Sequence, residues 1–158
     1  MKGLLKFALP LVAAIVMVSG LALAGDDSWF DMEHCSFCKT MLEDPELIHH
    51  MTWEQYPISD GIISLTTVDP AYTKSFETCT AKMEKLSQQL QQGKQMPLCN
   101  SCMAFGAIMM KGPKSEQIMT QHGEVWMVTS GDPEVVKELQ NWAKKNMAEL
   151  AKMHEQES

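Results

Sequence analysis

Two pairs of cysteines at CxxC spacing, Cys35 with Cys38 and Cys99 with Cys102, carry the chemistry of this 158-residue chain. A CxxC that opens a helix puts two sulfurs on one side of the first turn, where free backbone N–H groups and the helix dipole stabilise thiolate. Thiolate is both a metal ligand and a redox nucleophile, so this geometry serves either chemistry. Taken together, the four sulfurs suit a tetrahedral S4 site for zinc or an iron–sulfur centre. A copper(I) version would add thioethers, and Met41, Met103, Met109 and Met110 stand near the pairs, although methionine is also a general core filler. The stretch from Cys38 to Cys99 exceeds the span of a compact zinc ribbon, so only the fold can close such a site.

The competing chemistries are weaker. Neither pair follows a strand in a βαβ unit or resembles a Trp-Cys-Gly-Pro-Cys redox centre, which counts against a thiol–disulfide exchange protein without removing it. Structural disulfides are the third reading, because export favours oxidation. Covalent c-type haem needs a histidine after the second cysteine, and Lys39 and Met103 stand there instead. His34 precedes the first pair and is a possible additional ligand with Met41 and Met103; Leu98 takes its place in the second pair, so it is not duplicated. The fifth cysteine, Cys79, lies on an apolar helical stripe and reads as core. No paired acid and base, serine elbow or glycine-rich phosphate loop appears, so nothing in the sequence argues for catalysis.

Export is read from the first residues. Lys2 and Lys6 precede an apolar run, Phe7 to Leu23, and Ala22-Leu23-Ala24 offers the small residues of a signal-peptidase cut. The expected arrangement is a signal peptide over 1–24 and a single domain over 25–158, periplasmic or extracellular, with no stable membrane anchor after cleavage. The alternative is an uncleaved anchor, since about 17 apolar residues can barely span a bilayer. Cleavage removes two of the 13 basic residues and leaves 11 against 20 acidic ones, with no arginine. Such a surface repels phosphate backbones and anionic lipid, so nucleic acid is not an expected partner; a metal ion is.

The elements that must position the cysteines read as a tandem repeat. Cys35 recurs as Cys99, Gly61 as Gly123, and Asp69-Pro70 as Asp132-Pro133, in one order and at a nearly constant offset. Each copy runs CxxC, short helix, β-hairpin, long helix, with repeat 1 over about 33–93 and repeat 2 over about 97–153. Asp60-Gly61 and His122-Gly123 are expected as two-residue turns with the glycine at positive φ. That register pairs Ile58 with Ile63 and Tyr56 with Leu65, then Thr120 with Val125 and Ile118 with Met127, and turns these residues to the core. Asp-Pro then caps a long helix in each copy. The first carries Tyr72, Phe76, Cys79, Met83, Leu86 and Leu90, and the second Val136, Leu139, Ala143, Met147 and Leu150 with Trp142 alongside. The expected fold is α+β: a four-stranded antiparallel sheet with helices mainly on one face.

Overall fold

The structure, a computed structural model, describes residues 28–156, so the expected signal peptide lies outside the described residues. Strands β1 (Met51–Ile58) and β2 (Gly61–Val68) form the first hairpin, and β3 (Lys114–Thr120) and β4 (Gly123–Thr129) the second. Helix α1 (Thr73–Gln91) follows the first hairpin, α2 (Asn100–Met109) opens within the second CxxC, and α3 (Pro133–Gln156) closes the described chain. The first CxxC enters a 3-10 turn, Cys38–Glu43, and a second such turn, Leu47–His50, leads into β1. The four strands make one antiparallel sheet in the order β1-β2-β4-β3, which is the expected α+β architecture. Among the described residues no helix is long and apolar enough to cross a membrane.

The hairpin register differs from the expected one. Ile58 pairs with Gly61 and Thr120 with Gly123, so the loops are Ser59-Asp60 and Gln121-His122, one residue earlier than the glycines suggest. Of these two glycines only Gly123 has a positive φ, +130°. Their role lies between the hairpins. A Cβ on Gly61 would sit 1.9 Å from the Val128 carbonyl oxygen, and one on Gly123 would sit 1.9 Å from that of Thr66. Glycine is what lets β2 and β4 close on each other.

The core face is also the opposite of the expected one. Ile62, Ser64, Thr66 and Val68 of β2 are buried, together with Gln55 and Val128. Helices α2 and α3 cover this face: Val135, Leu139, Trp142, Ala143 and Ile108 cluster on Ile62 and Val128. Phe76 and Cys79 of α1 pack with Leu47 and Val68. Most polar groups of the core find partners, while Gln55 Nε2 is buried without one. The Trp53 indole donates to Ser64 Oγ at 2.8 Å, and Asn146 Nδ2 donates to Gln55 Oε1 at 3.0 Å. Tyr56, Ile63, Leu65, Val125, Met127 and Ile118 share the other face and belong to neither of the two clusters that the helices bury. Tyr56 is 46% exposed there and Ile118 53%.

One expected cap forms and the other does not. Asp132 Oδ1 accepts the Glu134 N–H at 2.9 Å, as an N-cap should. Asp69 has no cap bond; its carboxylate accepts the His50 ring Nδ1–H at 2.7 Å instead, and His50 stacks on Tyr72 with ring centroids 4.1 Å apart. The chain then makes a short 3-10 turn, Pro70–Tyr72, before α1 begins.

Candidate metal centre

Each CxxC is held by contacts to distant chain. In the first, the Ser36 N–H donates to the Pro97 carbonyl at 2.9 Å, tying it to the segment just before Cys99. Lys39 N–H donates to the Cys35 carbonyl at 3.0 Å, which curls the backbone so that both sulfurs face one way. In the second, Cys99 is the N-cap residue of α2, with extended backbone, and Met103 N–H donates to its carbonyl at 2.9 Å. Ser101, between the two cysteines, is bound on three sides. Its N–H donates to the Trp29 carbonyl at 3.0 Å, its hydroxyl to Asn146 Oδ1 at 2.8 Å, and its carbonyl accepts the Trp142 indole N–H at 3.1 Å.

These anchors bring the four cysteines together. Their Sγ atoms all lie within 4.8 Å of one another, and all five cysteines of the chain are free thiols. Cys35 Sγ meets Cys102 Sγ at 3.6 Å, and Cys38 Sγ meets Cys99 Sγ at 3.7 Å. These contacts are far longer than a disulfide bond of about 2.05 Å. They match the edge of a tetrahedron with metal–sulfur bonds of about 2.3 Å, which is about 3.8 Å. The four cysteines are therefore placed to hold a metal ion.

Crowding makes the thiols titrate unequally. Contact with Cys102 is the main reason that Cys35 falls far below the ordinary thiol range and that Cys99 falls to about 6. Cys102 is driven strongly upward, first by Cys35 and then by Cys38 and Cys99. At Cys38 the contact with Cys102 acts downward, but Cys35, Cys99 and burial outweigh it and the net shift is upward. Such a set cannot ionise completely without a cation at its centre, because like charges this close repel. A metal dication would supply that charge and hold all four as thiolates.

The other sequence candidates lie in different surroundings. His34 is 70% exposed in its side chain, and its ring Nδ1 is 3.1 Å from Asp31 Oδ1. Met41 packs against both the cysteine cluster and the Leu47–Phe76 cluster, while Met103 points outward and is 43% exposed. Cys79 is buried apart from the four; its Sγ is 3.4 Å from Thr40 Oγ1, and burial pushes its thiol upward. Sequence reasoning missed Asn146, which is fully buried and also accepts the Trp29 indole N–H at 2.7 Å. Its position on the stripe of Leu139, Trp142 and Ala143 was the available signal. Comparison with protein-family models, with curated proteins and with solved structures finds no match to this chain, so the reading of the site rests on its own geometry.

Proposed function

We propose that the protein is an exported, non-catalytic metal-binding protein that holds one tetrahedral ion through Cys35, Cys38, Cys99 and Cys102. One observation carries this reading: four free sulfurs, from two chain segments far apart in sequence, lie within 4.8 Å of one another, and the two contacts between the segments have the edge length of a metal tetrathiolate. A convergence of four thiols has no gain in packing that aliphatic side chains would not give better, and without a cation it leaves charges in mutual repulsion. Zinc is the favoured ion, since it takes tetrahedral S4 sites readily. A four-iron cluster would put each thiolate on a different iron and push the sulfurs apart, which the common 4.8 Å limit does not favour. Copper(I) is the soft-metal alternative, with Met41 and Met32 as the near thioethers.

A duplicated origin supports the same site. Ser64 and Trp126, separated by the same offset as Gly61 and Gly123, lie directly opposite each other at the middle of the β2–β4 pair. Gly61 faces Thr129 and Gly123 faces Thr67, which is the same pair with the copies exchanged. The turns repeat it: the Asp60 carbonyl accepts Ser130 N–H at 2.8 Å, and the His122 carbonyl accepts Val68 N–H at 3.0 Å. Exchanging Cys35 with Cys99 and Cys38 with Cys102 likewise turns one sulfur contact into the other. A pseudo-twofold axis through sheet and cluster accounts for all of these, with each copy contributing one CxxC to a shared ion.

The test is metal analysis with thiol counting on protein prepared anaerobically from the exported fraction. The expected result is about one zinc per chain, displaced by a thiol-directed mercurial in step with four cysteines. Sub-stoichiometric metal with four cysteines already oxidised overturns the reading.

A further inference from the structure

The four cysteines are not equally covered. As whole residues Cys35, Cys38 and Cys99 are 1%, 5% and 4% exposed, whereas Cys102 is only partly covered. The wall of the cluster is thinnest at the Cys102 residue, which is the side a small molecule from solvent would enter. The contacts between sulfurs then decide which partner each thiol finds. Cys102 touches Cys35 at 3.6 Å, and the remaining two, Cys38 and Cys99, touch at 3.7 Å. Both contacts cross between the CxxC segments.

We propose that the cluster is a redox-modifiable site that a peroxide opens in a fixed order. Cys102 is joined to Cys35 first and Cys38 to Cys99 second, and the ion is released. This rests on the metal reading of the same four cysteines. The Cys102 thiolate attacks one peroxide oxygen, the O–O bond breaks, and the other oxygen leaves as hydroxide, giving a sulfenic acid. The Cys35 thiolate then attacks that sulfur, the S–S bond forms and the sulfenic oxygen leaves as a second hydroxide. Two thiolates have lost two electrons and one hydrogen peroxide has become two hydroxide ions. A second peroxide does the same for Cys38 and Cys99. Four thiolates on a dication carry a net charge of −2, and the first disulfide leaves the ion with two thiolate ligands and two sulfurs that donate poorly.

The crossed connectivity also has the larger effect on the chain. It joins residues 67 and 61 positions apart, so each bridge restricts the unfolded chain much more than the small ring of a CxxC disulfide. Oxidation would thus exchange one link between the two copies, the ion, for two covalent ones. Cys79 takes no part, since it lies in a separate cluster against Thr40.

The experiment titrates the full, zinc-loaded chain with hydrogen peroxide and maps disulfides by peptide mass spectrometry, with a chromogenic chelator reporting free zinc. At one equivalent the expected product is the Cys35–Cys102 bridge with zinc released in step; at two, Cys38–Cys99 joins it. Substituting Cys102→Ser should slow peroxide consumption at least tenfold, while Cys79→Ser leaves it unchanged. Bridges within either CxxC, a bridge to Cys79, or zinc retained after the first bridge overturns the proposal. The same mapping on reduced, metal-free chain separates the two readings. Crossed bridges in a protein that binds no zinc would uphold the pairing and sink the metal centre, whereas stoichiometric zinc with bridges inside each CxxC would do the reverse.

Discussion

Asn146 Oδ1 stands 2.8 Å from the Ser101 hydroxyl, so an amide on the last helix fixes the residue between Cys99 and Cys102. The same oxygen accepts the Trp29 indole N–H at 2.7 Å, and the amide nitrogen reaches Gln55 of β1. Asn146→Leu keeps the branching at Cγ and removes both polar atoms, which leaves Trp29, Ser101 and Gln55 without their partner. Each buried group so stranded costs about 1–3 kcal/mol, and shared networks do not add fully, so about 2–4 kcal/mol of stability should be lost in urea unfolding. Asn141→Leu, at an exposed position on the same helix, should change it by less than about 0.5 kcal/mol. Competition against a zinc chelator should also show weaker binding by Asn146→Leu, because the second CxxC has lost its hold on α3. Equal zinc affinity in the two variants would mean that the amide supports the fold alone.

The two faces of the sheet can be separated with neighbouring isoleucines. Ile62 is 1% exposed and packs under α3, while Ile63 lies on the other face. Ile62→Ala should cost about 2–4 kcal/mol through lost burial and a residual cavity. Ile63→Ala should cost less than half as much, since its neighbours already leave it partly in water. Similar losses at both sites in denaturant titrations would show that the second face is covered in solution.

The sequence made the elements legible and left their orientation hidden. Two hairpins, two long helices and a linker ending in Pro97 follow from turn residues and local periodicity, which are short-range properties. The faces do not. In β2 both alternating sets contain large apolar residues, Ile62 and Val68 on one side and Ile63 and Leu65 on the other. Counting apolar residues favours the face of Tyr56, Ile58, Ile63 and Leu65, because Ser64, Thr66 and Gln55 lie on the opposite one. Those polar residues are buried on the strength of partners such as Trp53 and Asn146, and Asn146 is 91 residues from the Gln55 it binds. Gly61 misled in the same way, since its requirement comes from Val128 across the sheet and not from its own turn. The convergence of the cysteines was likewise open in the sequence, because a hairpin, a long helix and a linker stand between the pairs and decide it together.

Three glycines give a direct test of that long-range role. Gly61→Ala and Gly123→Ala each put a methyl group 1.9 Å from a backbone carbonyl oxygen, and neither carbonyl can swing aside without breaking the β2–β4 pairing. Each should lose more than about 2 kcal/mol, in the range that backbone strain and overpacking produce. Gly106 lies within α2 with nothing within 4 Å of its would-be Cβ. Gly106→Ala should therefore stabilise by about 0.5–1 kcal/mol, since alanine loses less entropy in a helix. Thermal unfolding of the three variants checks the order, and a neutral Gly61→Ala would show that the hairpins are spaced more widely.

Metal removal should act unevenly along the chain. The first CxxC ends at Cys38, where a 3-10 turn begins, and its described backbone bond to distant chain is the one from Ser36 to Pro97. With an ion in place, Cys35 and Cys38 are tied to α2 as well. An ion present at 100 times its dissociation constant stabilises the native state by about 2.7 kcal/mol. Stripping it under reducing conditions should therefore lower the melting temperature by roughly 10 °C for a domain of this size. Hydrogen exchange should rise first over residues 35–39, which the cluster holds most directly, and change little in β2 and β4, which pair at the centre of the sheet. Cys99→Ser should reproduce that pattern with zinc present, and Cys79→Ala should keep full zinc stoichiometry because its thiol bonds Thr40 instead. An exchange increase spread evenly over the sheet would mean that the ion supports the whole fold, and that the first CxxC does not depend on it more than the rest.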